Sequence, residues 1–93
     1  MNNYETMLVF TVAEGEEKTQ ALVEKFKALV EANGTVTNVD EWGKRRLAYE
    51  IDYQPEGYYF LIDYTADPSF PLELERVANI TEGVLRMMTV KKA

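Results

Sequence analysis

The sequence contains neither cysteine nor histidine. Without a thiol the chain cannot form disulfides, thiolate zinc sites, iron–sulfur clusters or a cysteine nucleophile. Histidine is the usual carrier of protons near neutral pH and the commonest transition-metal ligand, so its absence closes most remaining routes to catalysis. We therefore expect a protein that is not an enzyme, holds no cofactor or metal, and acts on no small-molecule substrate.

Long hydrophobic runs are also missing. Residues 1–12 lack the basic segment, apolar segment and small-residue cleavage site of a secretion signal. The longest apolar run, 57–62, is strand-like and falls well short of the roughly 20 residues that a membrane helix needs. We expect a cytoplasmic protein with no membrane partner.

What is present is the composition of a folded domain. The chain has 93 residues, of which 46% are apolar and 28% are charged. Such a chain can bury enough apolar surface to offset the entropy lost on folding, whereas disordered chains cannot. Its length allows one hydrophobic core, so we predict a single domain over residues 1–93 with one main binding surface.

The charged residues are unevenly distributed. The net charge of −6 argues against simple nucleic-acid binding, because Lys and Arg supply the affinity for phosphate. Residues 42–49 and 86–93 nevertheless each carry three cations and no acidic residue. Two short basic islands therefore stand in an otherwise acidic chain.

Hydrophobic periodicity predicts a regular series of strands and helices. Both faces of the first strand are largely apolar, which is typical of a strand in the middle of a sheet. In the second strand the apolar positions change parity, which indicates a bulge at Asp40–Gly43. Asn33-Gly34 is predicted to end the first helix through positive φ, and Pro and Gly predict a turn at 53–57. The predicted elements are a strand at 4–12, a helix at 16–33, strands at 35–51 and 58–65, a helix at 71–80 and a strand at 84–90.

This order of elements predicts the fold class. Strand, helix, strand, strand, helix, strand is the α+β arrangement of the ferredoxin-like split βαβ sandwich. Four antiparallel strands form one sheet in this fold, and both helices pack on the same face. The opposite face of the sheet is then left open for binding.

One run of residues is more specific than the fold. It is Trp42-Gly43-Lys44-Arg45-Arg46-Leu47-Ala48-Tyr49-Glu50-Ile51, followed by Gly57-Tyr58-Tyr59, with Tyr4-Glu5-Thr6 opening the first strand and Leu85-Arg86-Met87-Met88-Thr89-Val90-Lys91 closing the last. In this order, over essentially the whole chain, these residues resemble the family of bacterial small-subunit ribosomal protein six. The resemblance implies a structural constituent of the small ribosomal subunit that supports translation on the cytoplasmic ribosome. It also implies that the chain binds small-subunit ribosomal RNA together with small-subunit ribosomal protein eighteen.

The basic islands supply the candidate RNA-binding residues. Three adjacent cations on a bulged strand favour contact with RNA phosphates, or with an acidic partner surface, over the alternative of solubilising a strand edge. If Leu47 and Tyr49 face the helices, a period of two sends Lys44 and Arg46 to the open face and Arg45 to its rim. The lysines that close the final strand could equally be a frayed, solvated end. The candidates are Lys44, Arg45, Arg46, Arg86, Lys91 and Lys92.

The same alternation predicts the side chains of the open sheet face. Aromatic residues on a sheet can stack RNA bases, but one aromatic among aliphatic residues favours contact with a partner protein. Trp42, beside Gly43, is interpreted as a packing anchor at the bulge rather than a ligand contact. The predicted partner-protein interface comprises Glu5, Met7, Val9, Tyr59, Leu61 and Met88.

Two other functions fit the same fold. An acylphosphatase-like enzyme needs an anion cradle after the first strand, but Glu14, Glu16 and Glu17 would repel phosphate there, so this activity is disfavoured. Glutamates at the helix starts are explained by the helix dipole rather than by a metal or acid–base site. A regulatory module that binds a ligand, or pairs its open face with a second copy, is the alternative to the ribosomal function.

Overall fold

The structure is a computed structural model that describes the backbone of residues 1–51 and 54–92 and the side chains of 1–46 and 56–92. The predicted order of elements is confirmed, and the first helix has the predicted bounds. Within the described ranges no helix is long and apolar enough to cross a membrane. The elements are β1 (Asn2–Phe10), α1 (Glu16–Asn33), β2 (Gly34–Ile51), β3 (Gln54–Ala66), α2 (Phe70–Ile80) and β4 (Val84–Lys92).

The strands form one antiparallel sheet in the order β2-β3-β1-β4. β1 lies between β3 and β4, so that Met7 is opposite both Leu61 and Met88. A strand in this position has packed neighbours on each side, which explains why both of its faces are apolar. The prediction of a ferredoxin-like α+β fold with a central first strand is confirmed.

Both helices pack against one face of the sheet. Leu8 of β1 and Phe60 of β3 are fully buried in a cluster that also contains Leu74 of α2. Phe10 joins the layers, with its ring centroid 5.7 Å from that of Phe26 in α1 and 6.3 Å from that of Phe60. Alternate residues of each strand therefore enter the core, and the residues between them lie on the opposite face, which we call the open face.

β2 and β3 extend beyond the rest of the sheet. β3 begins at Gln54, so the prediction of a turn is wrong for residues 54–57, which belong to the strand. Tyr53, the first residue of the predicted turn, lies outside the described residues. Past the end of β1, β3 pairs only with β2, and a strand with a free edge tolerates a proline. Here strand pairing outweighs the local turn-forming tendency of the sequence. β1 pairs with β3 only as far as Tyr58, so Arg45 opposite Gly57 lies past the end of β1. This two-stranded extension is the hairpin arm, defined as residues 45–51 and 54–57.

The two strands that flank this pair end differently from the prediction. β1 stops at Phe10, because Thr11 leaves the ladder: its N–H donates to the Gly83 carbonyl at 2.7 Å, and its carbonyl accepts from the Thr19 hydroxyl at 3.0 Å. β4 continues to Lys92, which pairs with Asn3 of β1. The alternative of a frayed end for the last lysines is therefore wrong.

α1 ends at Asn33 as predicted, but by a different mechanism. Gly34 has an extended backbone, with φ at −168°, and it starts β2 directly. A β-carbon at this position would collide with the backbone oxygen of Thr65 in β3. Glycine is therefore needed here for the close approach of two strands rather than for positive φ.

Gly34→Ala is expected to lower the free energy of unfolding by about 1–3 kcal/mol, because β2 and β3 must separate to admit the methyl group. Denaturant unfolding followed by circular dichroism measures this change. Thr35→Ala, at the next and exposed position, is the control and should shift stability by no more than about 0.5 kcal/mol. Equal stability of Gly34→Ala and the unaltered chain would contradict the close approach.

Candidate binding surface

The open face has an exposed apolar centre. Met7 lies between Leu61 and Met88, one residue from each of three neighbouring strands. Met88 is 44% exposed, and Val90, the next residue on the same face of β4, is 51% exposed. The predicted interface omits Val90. Val90 alternates with core residues in the same way as Met88, and this alternation could have identified it. We call Met7, Leu61 and Met88 the apolar row, and exposed apolar surface of this kind is typical of a protein-docking site.

Val9 differs from the other predicted interface residues. It lies on the open face between Tyr59 and Arg86, but only 1% of its surface is exposed. A short side chain in a central strand lies below its larger cross-strand neighbours. Val9 therefore supports this surface from beneath, and its contact with a partner stays a prediction.

One end of the open face is acidic. Glu5 lies opposite Asp63 across β1 and β3. The Nζ atom of Lys92 is 3.5 Å from Oδ2 of Asp63, whereas Oδ1 of Asp63 is buried with no hydrogen-bond partner among the described residues. An unpaired buried oxygen is costly, and Asp63 has its other oxygen paired with Lys92, so the partly exposed Glu5 is the more accessible carboxylate at this end of the face.

The opposite end of the face is aromatic and basic. The rings of Trp42 and Tyr59 are nearly parallel, with planes 13° apart and centroids separated by 6.1 Å. Arg45 lines the same shallow depression as these two rings. Trp42 is 44% exposed, and its Nε1–H donates to Oδ2 of Asp40 at 2.9 Å. We call Trp42, Tyr59 and Arg45 the aromatic shelf.

The predicted bulge in β2 positions this shelf. The register between β2 and β3 shifts between Glu41 and Gly43, within the predicted range, so the bulge is confirmed. Gly43 has φ at 79°, a conformation that L side chains rarely adopt. The extra residue between them is Trp42, and the bulge brings its ring against Tyr59.

The three adjacent cations of β2 do not share a face. Lys44 lines a depression with Glu16 and Gln20 of α1, and its Nζ atom is 3.6 Å from Oε2 of Glu56. Lys44 is therefore on the helix side of the sheet, whereas Arg45 is on the open face. The prediction that Lys44 lies on the open face and Arg45 at its rim is wrong.

The irregular pairing of β2 explains this error. The prediction counted alternate residues back from Leu47 and Tyr49, whose side chains lie outside the described residues. The β2–β3 register shifts between Arg46 and Ile51, so a strict period of two does not carry across this segment. Within the regular part of β2, Arg46 pairs with Glu56 and alternates with Arg45, which also places Arg46 on the helix side.

Tyr58 lies beside Lys44 on the helix side of the sheet. Its hydroxyl donates to Oε1 of Glu41 at 3.0 Å. Burial raises the pKa of Tyr58, and the hydrogen bond to Glu41 raises it further. The Tyr58 phenol is therefore neutral at physiological pH. It donates its hydrogen bond to Glu41, the residue directly before Trp42.

The C-terminal cations also divide between the two faces. Arg86 lies on the open face opposite Val9, which itself lies opposite Tyr59 of the aromatic shelf. Lys92 is on the open face at the acidic end, where it contacts Asp63. Lys91 is on the helix side, in a depression with Glu75 of α2. Arg45 and Arg86 therefore lie toward the same end of the open face, on the opposite edge strands β2 and β4, and away from the terminal lysines.

An open sheet with an apolar centre, an acidic end and a basic aromatic end defines a ferredoxin-like protein whose exposed sheet face is the candidate binding surface. Comparison with known proteins gives its family. The chain belongs to the family described as Ribosomal protein S6, whose sequence model matches residues 3–91.

Individual relatives agree with this family assignment. The chain is similar to small ribosomal subunit protein bS6 of Clostridium perfringens strain SM101, with 54% identity over 93 residues, 99% of this chain and 98% of that protein. The corresponding protein of Thermoanaerobacter pseudethanolicus is 49% identical over 92 residues, 98% of this chain and 97% of that protein. A crystal structure of 30S ribosomal protein S6 from Thermotoga maritima is similar with a TM-score of 0.91 at 31% identity, over 98% of this chain and 87% of that one.

The predicted family resemblance is confirmed, and the family carries a structural role in the small ribosomal subunit. Its members are ribosomal, so the location of the chain is the ribosome in the bacterial cytoplasm. The family is a structural and non-enzymatic one.

Proposed function

We propose that this chain binds small-subunit ribosomal RNA jointly with small-subunit ribosomal protein eighteen. The partner protein occupies the open face, and the cations around the hairpin arm contact RNA. The observation that carries the proposal is the layout of the open face. Its apolar row lies between an acidic end at Glu5 and Asp63 and a basic end at Arg45 and Arg86.

The apolar row and the acidic end favour a basic polypeptide as the partner. Met88 is exposed and Met7 and Leu61 are half-buried, and together they supply the apolar centre that protein interfaces need. Glu5 then offers carboxylate oxygens to lysine or arginine at the edge of that centre, beside the Asp63–Lys92 ion pair. A chain with a net charge of −6 also attracts a cationic partner over distance and speeds their association.

Strong RNA binding depends on this partner. An acidic chain alone binds RNA weakly, whereas a complex with a basic protein has its main electrostatic attraction supplied by the partner. Lys44 is 61% exposed at its side chain despite the ion pair with Glu56, and such a surface pair contributes little to stability. Because the hairpin arm extends past β1, Arg45 and Arg46 project from the body of the sheet toward a phosphate backbone.

Changing Lys44, Arg45 and Arg46 together to Ala is expected to weaken incorporation into the small subunit without unfolding the chain. Each phosphate contact that is lost should reduce the slope of log affinity against log salt by about 1. The measurement is the affinity of the chain and its partner for small-subunit ribosomal RNA over a series of salt concentrations. Exposed substitutions of this kind cost about 0.5 kcal/mol or less each, so folding should be retained.

A matched control separates specific contact from net charge. Lys18, Lys25 and Lys27 all lie on α1, and changing them to Ala alters the net charge by the same amount as the first variant. This control should assemble nearly as well as the unaltered chain. If both variants lose RNA affinity equally, the cations near the hairpin arm have no specific part in binding.

A second candidate is a dimer in which two copies of this chain pair their open faces. The layout of the face favours this dimer. Two copies that pair the same face in antiparallel orientation would place the acidic end of one against the basic end of the other. Native mass spectrometry of the purified chain distinguishes the two candidates. A stable homodimer supports the regulatory module, and a monomer that becomes a heterodimer when the partner is added supports the ribosomal function.

A further inference from the structure

The aromatic shelf presents an exposed Trp42 ring and a half-buried Tyr59 ring held in fixed orientation. The Trp42 ring is oriented by its hydrogen bond to Asp40 and by its parallel contact with Tyr59. The backbone beneath it is set by the bulge at Gly43. Because the rings are already ordered, a flat ligand that stacks on them loses little additional side-chain entropy on binding.

The charges around the shelf favour a flat ligand attached to an anion. Arg45 lines the depression. Arg86 lies on the same face opposite Val9, which lies opposite Tyr59 on its other side. Of the two nearby carboxylates, Asp40 accepts a hydrogen bond from Trp42, and Glu41 lies on the other face, where it accepts from Tyr58. The shelf therefore combines π-faces with cations in the way that single-stranded nucleic-acid sites do.

We propose that Trp42 and Tyr59 stack an unpaired base of the bound RNA, with Arg45 contacting a neighbouring phosphate. This inference rests on the proposed function and adds the kind of RNA it recognises, which is a bulged or looped nucleotide rather than a continuous duplex. Bases within a helix are stacked on one another, so only an unpaired base offers its face to a protein ring. The partner protein then keeps the apolar row, and the RNA takes the shelf at the end of the same face.

Trp42 is the only tryptophan in the chain, so its fluorescence reports on this site alone. The probes are single-stranded oligoadenylate and a duplex RNA of the same length, titrated at low salt into the unaltered full chain. Stacking of a base on the indole should quench the fluorescence with the single strand and leave it almost unchanged with the duplex.

Substitutions on the two faces of β3 provide a matched pair. Tyr59→Leu removes one ring of the shelf and should weaken single-strand binding by about 5- to 150-fold, the range expected for the loss of one stacked base. Tyr58→Leu removes the adjacent ring on the helix side and should leave the affinity within about twofold of the unaltered chain. Trp42→Phe retains an aromatic face, so its affinity should stay close to that of the unaltered chain. Trp42→Leu should lose affinity as Tyr59→Leu does. Fluorescence anisotropy of labelled oligoadenylate measures the affinity of these two variants.

The outcomes separate this inference from the proposed function. Equal binding of single strand and duplex, no quenching, or equal effects of Tyr58→Leu and Tyr59→Leu would each overturn the base-stacking site. If Tyr59→Leu instead weakens binding of the partner protein and leaves RNA binding intact, the shelf belongs to the protein interface. The proposed function is judged independently by incorporation of a double variant, Lys44→Ala with Arg46→Ala, which leaves both rings and Arg45 in place.

Discussion

Phe60→Ala is expected to lower the free energy of unfolding by about 3–5 kcal/mol, which is a large part of the roughly 5–15 kcal/mol that stabilises a domain of ordinary size. Phe60 has no exposed surface, and its ring is 6.3 Å from that of Phe10 in the neighbouring strand. Removing it leaves a cavity between β3, β1 and α1 that the surrounding residues can only partly fill. Equilibrium denaturation followed by circular dichroism measures the loss.

The adjacent residue gives the control. Tyr59 follows the same strand but lies on the open face, where only the contact with Trp42 and partial burial are at stake. Tyr59→Ala should therefore cost less than half as much as Phe60→Ala, although it removes a side chain of similar size. Equal destabilisation by the two substitutions would mean that both faces of the sheet are packed cores, and the open face would not exist.

Periodicity was sufficient to predict the layers of this fold. Phe60, Ile62 and Tyr64 alternate with Tyr59, Leu61 and Asp63, and the structure places the first set in the core and the second on the open face. The α1 bounds were predicted because an apolar stripe at helical spacing is long enough to be distinguished from a strand. These features depend on which residues are apolar, and a sequence states that directly.

The positions of the cations could not be predicted in the same way. A bulge changes which face each later residue occupies, and β2 has register shifts at several places. The sequence indicated the shift near Asp40–Gly43, but the one after Arg46 has no comparable signal. Lys44 and Arg46 were therefore placed on the open face although they lie on the helix side, and Arg45 was placed at the rim although it lies on the open face.

Trp42 shows a second limit of sequence-based prediction. Its role as a packing residue was a reasonable interpretation of a tryptophan beside a glycine, and its ring does contact Tyr59. Its 44% exposure depends on where the bulge turns the side chain, and on the end of β1 at Phe10, which leaves the neighbouring arm uncovered. Both facts concern tertiary pairing rather than local sequence.

Met88→Asp is expected to abolish most of the affinity for the partner protein. Met88 belongs to the apolar row, and an unpaired carboxylate buried there on docking would lose its hydration without gaining a partner. Truncations and charges at the centre of an interface cost about 2–4 kcal/mol, which corresponds to an affinity lowered by about 30- to 1000-fold. Since Met88 is 44% exposed in the chain alone, the folded state itself should be little affected.

Leu72→Asp is the matched control for this substitution. Leu72 is 72% exposed on α2, in a depression on the helix side of the sheet, and its change to Asp alters the net charge by the same amount. Isothermal titration of each variant with purified partner protein should therefore give near-normal affinity for Leu72→Asp and a strong loss for Met88→Asp. Normal binding by Met88→Asp would show that the partner does not cover the apolar row. The heteromeric reading of the open face would then fail, even though the chain remained a folded member of its family.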